Sequence, residues 1–254
     1  MTDLIVFSVG ENKYAMNIEN VQRIIESTSL TNIPNAHEFI DGMMSYEDKV
    51  IKVLSFRKLI GMNTYKSELD TLFEGLKKGH GEWVSSLKVS LERGAVFSKT
   101  LDPHACGLGK WIDGFTAYDD KVIEILNELI EYHKQLHITG GVALEVYKTD
   151  TDAALKMFNI DIMQIFEHTM GALEIFTKEL DLVANSLQKL IIYDNEGSFF
   201  AIKVDTIEDI AHVSESDFTN ATDQHETSEF LDLDNVLDLN DVLINVIKTV
   251  KLPK

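Results

Sequence analysis

The alternation of apolar and polar positions divides the chain into a β-type segment, a helical segment and a second β-type segment. Residues 4–62 contain short β-branched runs separated by turns. From about residue 66 the apolar residues recur at the spacing of helical turns, and alternation returns at Leu187. We therefore predict an α+β multidomain fold in which a helical bundle is inserted into a β domain, because neither β segment alone is large enough for a sealed core.

The predicted domain boundaries follow these changes of period. Residues 1–65 form the first half of the β domain, residues 66–185 form the inserted bundle, and residues 186–254 form the second half. Within the first half, two strands are expected to flank a turn at residues 47–49. A short helix over residues 55–61 is expected to end at its glycine.

Three stretches lead to more local expectations. An amphipathic helix begins at Asp119 with acidic residues in its first turn, and Gly140 and Gly141 are expected to interrupt or kink it. Residues 111–115 are ambiguous between helix and loop. Residues 214–229 are polar and predict a loop.

Charge and cysteine content narrow the possible functions. The 254 residues include 23 basic and 42 acidic side chains, which gives a net charge of −19. Such a charge disfavours nucleic acid and anionic lipid, which proteins bind through Lys and Arg, but it is compatible with basic partners or metal cations. The single cysteine cannot form a disulfide within the chain, and neither a signal peptide nor a stretch of about 20 apolar residues is apparent. We therefore expect a cytoplasmic protein without membrane insertion.

One group of residues suggests a metal site. His133 and His137 lie four positions apart in a predicted helix, so their imidazoles share one face. Zinc usually has four cysteine or histidine ligands, and His80 and Cys106 are the obvious suppliers of the other two. His104 is a rival, because it lies two residues before Cys106 and the local spacing does not exclude it. A thiolate beside imidazoles favours zinc over magnesium or calcium, and four protein ligands favour a structural or regulatory metal over a hydrolytic one.

Each of these residues also has an explanation that needs no metal. A histidine pair on a helix can simply be solvated, and a lone cysteine is often a small core residue. Trp83 and Trp111 are expected to pack in a core. Residues 230–241 are rich in Asp and Asn but lack the glycine and terminal glutamate of an EF-hand, so calcium is not expected. We expect no metal at the remaining histidines, which are His37, His168, His212 and His225.

The combination of these residues resembles a known family. The elements His80-x-x-Trp83, Cys106-Gly-Leu-Gly-Lys-Trp111 and His133-x-x-x-His137 are similar to those of the chemoreceptor zinc-binding (CZB) domain, and the resemblance covers roughly residues 68–183. It implies a four-helix bundle that binds zinc. It also implies that the ligands are His80, Cys106, His133 and His137, and that His104 is not a ligand.

The two β segments resemble the halves of a CheW-like chemotaxis coupling domain. The first half is similar through Phe7-Ser-Val-Gly10, Ile40-x-Gly42 and the run from Ser55 to Gly61, and the second half through Ala201-Ile-Lys-Val-Asp205. The resemblance implies a pair of small five-stranded β-barrels that bind the histidine kinase CheA and the cytoplasmic tips of chemoreceptors. The chain departs from the family at residues 47–48, where Glu-Asp replaces the usual Arg-Gly of a surface used for those contacts.

These resemblances predict a chemotaxis scaffold, not an enzyme, that carries a zinc sensor. Its zinc-bound Cys106 would respond to oxidants such as hypochlorous acid or to zinc availability. One alternative is a zinc enzyme with Glu82 or Glu131 as general base. The closed set of four ligands and the lack of a His-Glu-x-x-His element disfavour it. A second alternative is an adaptor in which the zinc is purely structural.

Overall fold

The chain folds into two compact units in a computed structural model. One unit combines Met1–Tyr65 with Ala184–Lys254, and the other is Lys66–Val183. The mixed α+β architecture predicted from the sequence is confirmed. No helix in the described part of the chain is both long and apolar enough to span a membrane. The structure describes residues 2–117, 119–195, 197–219, 229–239 and 241–253.

The first unit is built from strands. Two short 3₁₀ turns, at Ile18–Asn20 and Glu215–Asp217, and the short helix α1 (Phe56–Leu59) accompany them. The strands of its described residues are β1 (Thr2–Val9), β2 (Asn12–Asn17), β3 (Val21–Glu26), β4 (Ile40–Tyr46), β5 (Lys49–Ser55), β6 (Lys189–Asn195), β7 (Ser198–Val204), β8 (Thr206–Val213), β9 (Phe218–Thr219), β10 (Leu231–Leu239) and β11 (Val242–Val250).

These strands form two sheets, and each sheet mixes strands from both ends of the sequence. The six-stranded sheet has the order β8-β1-β2-β11-β10-β9, and the five-stranded sheet has the order β3-β6-β7-β5-β4. In the first, β1 pairs antiparallel with β8, and β2 pairs parallel with β11. In the second, β3 pairs antiparallel with β6, and β5 pairs parallel with β7. Neither half of the sequence therefore completes a sheet without the other.

The core of this unit lies on both faces of the sheets. A large cluster that includes Phe7, Tyr14, Phe56 and Phe200 contains side chains from both sheets. A separate cluster contains side chains from five neighbouring strands of the six-stranded sheet, from Val213 of β8 to Leu237 of β10. The second sheet has the five strands expected from the sequence, and the first has six. That each sheet closes into a barrel stays a prediction.

A buried ion pair connects the two halves of the sequence within this unit. The Arg57 side chain is 2% exposed, and its Nε and Nη2 donate to the two carboxylate oxygens of Asp205, each at 2.7 Å. The same carboxylate accepts from the backbone N–H of Gly10 at 2.8 Å and from Gln188 at 3.0 Å. The Arg57 Nη1 donates to the carbonyl of Asn63 at 3.1 Å. A buried pair with this many hydrogen bonds fixes where α1, the β1–β2 turn and the start of β6 meet.

The second unit consists of helices. That it forms a four-helix bundle stays a prediction. Helix α2 begins at Tyr65, directly at the boundary between the units. The helices are α2 (Tyr65–Arg93), α3 (Gly107–Gly114), α4 (Asp120–Tyr147), α5 (Thr151–Met157), α6 (Met163–Lys178) and α7 (Leu180–Leu187), with a π-helical turn at Phe158–Ile162 between α5 and α6.

The expected interruption of the long helix at Gly140 and Gly141 was wrong. Helix α4 continues through Gly140 and Gly141 without interruption. A Cβ atom at Gly140 would lie 2.4 Å from Cη2 of Trp83, so glycine is present where α4 approaches the Trp83 ring, not where the helix ends.

Three other stretches are now assigned. The ambiguous residues 111–115 lie largely within α3, which begins at Gly107 because Cys106 accepts a hydrogen bond from the N–H of Gly109 as its N-cap. The Asp- and Asn-rich stretch forms most of β10. The predicted loop at 214–229 contains a 3₁₀ turn and β9, and its residues 220–228 lie outside the described part.

Removing the Asp205 carboxylate should strongly destabilise the first unit. Asp205→Ala removes the carboxylate that accepts two hydrogen bonds from the buried Arg57 guanidinium, so we expect the free energy of unfolding to fall by about 3–5 kcal/mol. Urea denaturation followed by far-ultraviolet circular dichroism measures this loss. Fluorescence of Trp83 and Trp111, the two tryptophans and both in the other unit, serves as an internal reference.

The matched control is Glu208→Ala, which breaks the exposed ion pair of Glu208 with Lys13. This change should cost no more than about 1 kcal/mol. Equal losses in the two variants would contradict the role given to the buried pair.

Candidate metal centre

The buried stripes of two helices and the N-cap of a third bring the four predicted ligands together. His80 lies seven residues after Phe73 on the buried face of α2, and His133 and His137 lie on the buried face of α4. Their donor atoms and the Cys106 sulfur all lie within 4.8 Å of one another. Cys106 Sγ is 3.1 Å from Nε2 of His133 and 3.8 Å from Nε2 of His80. Ligand atoms around a tetrahedral zinc are about 3.3–3.6 Å apart, so small inward movements would suffice.

His137 provides the clearest sign that the cluster suits a metal. His137 is 1% exposed, and neither ring nitrogen makes a hydrogen bond of good geometry with the described residues, although the backbones of Thr100 and Leu101 lie close enough to raise its pKa slightly. An imidazole buried in this way replaces its bonds to water poorly, which is costly unless another ligand takes the lone pair. The arrangement therefore fits a metal better than it fits a hydrogen-bonded core histidine.

His80 is held in an orientation that suits the same purpose. Its Nδ1 lies 2.9 Å from the carbonyl oxygen of Leu76, one turn earlier in α2. With the proton on Nδ1, His80 donates to that carbonyl and turns the Nε2 lone pair towards Cys106. A backbone carbonyl in this position is the common partner of a metal-binding histidine.

Burial keeps the imidazoles neutral. It lowers the pKa of His133 to about 3 and that of His137 to about 4, and the neighbouring His80 lowers both further. Burial also lowers the pKa of His80. Since a metal binds only the neutral imidazole, all three nitrogens are ready to bind one at neutral pH.

The sulfur is placed differently, at the start of a helix. Burial raises the pKa of the Cys106 thiol, and the N–H of Gly109, which donates to the sulfur at 3.3 Å, lowers it. The thiol also faces the carbonyl oxygen of Pro103 at 3.5 Å. A metal cation would supply the positive charge that favours the thiolate here.

Gly109 is required by the close packing of α3. A Cβ atom at this position would lie 1.7 Å from the carbonyl oxygen of Pro103. Because the obstacle is backbone, the clash could be relieved only by moving α3 away from residues 103–104, and Cys106 would move with it.

Trp83 lies in the hydrophobic core, as expected, and it also contacts the centre. Its ring centroid is 4.9 Å from that of His137, and its Nε1 donates to the carbonyl of Thr100 at 2.7 Å. Trp111 packs against Phe73 and Phe176. The contact between Trp83 and His137 was not predicted, and the spacing of His80 and Trp83 is the signal that could have suggested it.

The other described histidines are not part of the cluster of four donors. His104 is 70% exposed and its Nδ1 is 3.0 Å from Asp113. His37 packs against Phe39, His168 against Tyr132, and His212 pairs with Asp3. His225 lies outside the described residues.

The two carboxylates considered as general bases are engaged elsewhere. Glu82 is exposed and pairs with Lys99 at 3.7 Å, and Glu131 accepts from the Gln135 amide at 2.7 Å.

Comparison with known proteins agrees with both resemblances. Residues 3–79 match the CheW-like domain, and residues 80–144 match the chemoreceptor zinc-binding domain. The chemotaxis protein CheW of Thermotoga maritima is 20% identical over 70 residues, which is 28% of this chain and 46% of that protein. The match therefore spans about half the length of this relative.

One solved structure is similar over most of the chain. It is the crystal structure of the scaffolding protein TtCheW from Thermoanaerobacter tengcongensis, with a TM-score of 0.47 and 12% identity. The comparison covers 98% of this chain and 90% of that one.

The chain thus combines a CheW-like domain with a chemoreceptor zinc-binding domain, as the sequence motifs suggested. The second domain identifies zinc as the metal, in agreement with a cluster of three imidazoles and one thiol.

Adding one methyl group at Gly109 should disturb the centre. We expect Gly109→Ala to lower the free energy of unfolding of the helical unit by about 1–3 kcal/mol. We also expect it to weaken zinc binding, because Cys106 moves with α3. Tryptophan fluorescence in urea measures the first effect, and competition with a chromogenic chelator measures the second.

The control is Gly171→Ala, in the middle of α6, where a Cβ atom would meet nothing within 4 Å. This change should leave zinc binding unaltered and stabilise the protein by up to about 1 kcal/mol. The packing argument fails if the two variants behave alike.

Acid should destabilise the metal-free helical unit. The pKa values of His133 and His137 are about 3 and about 4 in the folded state, below the usual 6.5, so between these values the unfolded chain binds more protons. Stability is fully present above pH 6.5 and falls as the pH drops, by up to about 1.4 kcal/mol per pH unit for each histidine. Urea titrations of chelated protein between pH 7.5 and pH 5 measure the slope.

The variant His137→Leu separates stability from metal binding. It removes one titrating group and two buried, poorly hydrogen-bonded nitrogens, so the pH slope should decrease and the chelated protein should become more stable. Zinc affinity should fall at the same time. If the free energy of unfolding depends on pH equally in the chelated parent protein and in His137→Leu, burial of His137 does not lower its pKa as described.

Proposed function

We propose that this protein is a cytoplasmic chemotaxis scaffold that couples chemoreceptors to the histidine kinase CheA and is regulated through zinc. Its CheW-like domain is formed by residues 1–65 and 186–254, and a zinc-binding domain at residues 66–185 is inserted between them. The zinc ligands are His80, Cys106, His133 and His137. The observation that carries this proposal is the cluster of one thiol and three buried imidazoles whose donor atoms all lie within 4.8 Å of one another.

The CheW-like domain supports the choice of partners. CheW-like domains couple chemoreceptors to CheA, and the pairing of β1 with β8 and of β2 with β11 supports one domain built from both ends of this chain. Glu47 and Asp48 form the β4–β5 turn with φ angles of 44° and 61°. They place two acidic side chains where the family usually has Arg-Gly, so partners with complementary basic residues are favoured at this turn.

Cys106 is the ligand best suited to respond to an oxidant. When bound, zinc keeps the sulfur as a thiolate, which is the form that oxidants attack. With hypochlorous acid, a sulfur–oxygen bond forms and the oxygen–chlorine bond breaks. Chloride leaves, the sulfur is oxidised by two electrons to a sulfenic acid, and the chlorine is reduced by two.

The loss of this ligand would affect three chain segments at once. The sulfenic acid is a much weaker ligand than the thiolate, so α3 would no longer be tied to His80 on α2 and to the histidine pair on α4. A structural change of this kind, or the loss of zinc itself, would then alter docking of the kinase or receptor.

A scaffold is favoured over an enzyme by the side chains around the cluster. Glu82 and Glu131 pair with other residues and are not among the clustered donors, and four protein ligands would leave no position for a reacting water.

The test is a pull-down of the kinase CheA and a receptor cytoplasmic fragment with zinc-loaded, chelated and hypochlorite-treated protein. We expect binding that differs between the loaded state and the other two. In Cys106→Ser the response to hypochlorite should disappear. Zinc affinity should also fall. Loss of a residue that only hydrogen-bonds a metal ligand costs roughly 10- to 100-fold in affinity, and loss of the ligand itself should cost more.

The matched control is His104→Ala, an exposed histidine two residues from Cys106 that should keep both responses. If partners bind equally in all three states, the zinc is purely structural. If no partner binds in any state, the coupling function is wrong.

A further inference from the structure

A cleft lies against one side of the metal centre. Its volume is about 280 Å³, and Cys106 and His80 line it, whereas His133 and His137 do not. The cleft therefore borders two of the four predicted ligands and not the histidine pair of α4. Cavities of about 150 Å³ hold benzene, so this one accommodates a small molecule of several heavy atoms.

Two of the residues that line the cleft are exposed glycines of α2, which we call the rim glycines. Gly75 and Gly79 lie one turn apart on α2, both are exposed, and a Cβ atom at either position would meet nothing within 4 Å. Glycine inside a helix costs about 1 kcal/mol relative to alanine, and at Gly109 and Gly140 close packing accounts for it. No such packing exists at the rim, where the missing side chains leave the cleft open.

One cationic side chain lies at this opening. Lys99 lines the cleft, and its ammonium is 3.7 Å from the carboxylate of Glu82 in an exposed pair. In a chain with a net charge of −19, a lysine here reduces the local repulsion of anions. The cleft suits small neutral or anionic solutes better than cations.

We propose that this cleft is the path by which small neutral or anionic thiol-reactive solutes reach the Cys106 sulfur, and that Gly75 and Gly79 keep it open. This inference rests on the proposed function, in which Cys106 responds to oxidants. It adds the class of oxidant that the cleft admits, which is molecules of a few heavy atoms such as hypochlorous acid or hydrogen peroxide. Oxidants larger than the cleft, such as the disulfide of glutathione, should react more slowly.

The rate of alkylation of the sulfur tests the cleft without any partner protein. Cys106 is the single cysteine, so every thiol label reports on it alone. In chelated full-length protein we expect Gly79→Leu to slow labelling by iodoacetamide by about tenfold, equivalent to about 1.4 kcal/mol in activation free energy. Mass spectrometry over time gives the rate. Labelling in urea gives the rate of the fully exposed thiol.

Two further variants keep the test decisive. Gly75→Leu should slow labelling in the same way if Gly79→Leu fails to fold. Gly171→Leu, an exposed glycine in the middle of α6, should label at the parent rate. The cleft is not the path if both Gly75→Leu and Gly79→Leu fold and react as fast as the parent protein.

A pair of reagents that differ only in charge tests the role of the lysine. Lys99→Met should slow labelling by anionic iodoacetate more than labelling by neutral iodoacetamide. Lys88→Met, which removes a lysine of α2 with the same 3.7 Å distance to a glutamate, should change neither. Equal effects of Lys99→Met on both reagents would contradict the role of its charge.

These outcomes are separable from those for the proposed function. A closed cleft changes the rate at which Cys106 reacts but leaves equilibrium zinc binding intact, because neither rim glycine is a proposed ligand. If the rim variants label slowly but kinase docking is the same in the zinc-loaded, chelated and oxidised states, the cleft is the path and the proposed regulation is wrong. If the rim variants label at the parent rate but docking differs between these states, the regulation is supported and the cleft is not the path.

Discussion

The helical unit depends on one unusual constraint, which is the burial of three imidazoles and a thiol in one place. Leucines or phenylalanines at these positions would give a more stable core, because burial removes His133 and His137 from water and holds both far below their ordinary pKa. The metal-free helical unit is therefore less stable than the same unit would be with apolar residues at these four positions. Binding of a cation would relieve this cost, and this is how a metal couples to the folding of a domain.

The β unit has a comparable constraint of a different kind. The Arg57–Asp205 pair connects residues 148 positions apart, and the strands that flank it come from both ends of the sequence. A chain arranged in this way can contain a second folding unit between its halves, provided that the two ends of the inserted segment return to the same place. Helix α2 begins at Tyr65 and β6 begins at Lys189, and between them the helices form their own core.

Much of this was accessible from the sequence because it depends on local periodicity. The His133–His137 spacing placed both side chains on one face, and alternating residues identified the strands. Gly140 was misread as a helix interruption, because sequence alone does not reveal that Trp83 approaches it. The Leu76 carbonyl behind His80 could not be predicted either, since any residue supplies a carbonyl. The pairing of β1 with β8 is set by contacts across some two hundred residues, which no local pattern encodes.

The solitary cysteine has a consequence for the return of the protein to its resting state. A sulfenic acid at Cys106 has no second thiol in this chain with which to form a disulfide. If the proposed oxidation takes place, recovery would require an external thiol that reaches Cys106, and glutathione is far larger than hypochlorous acid or hydrogen peroxide. Oxidation would thus be fast and reduction slow unless the helices around the site loosen, which would give the protein a memory of past exposure.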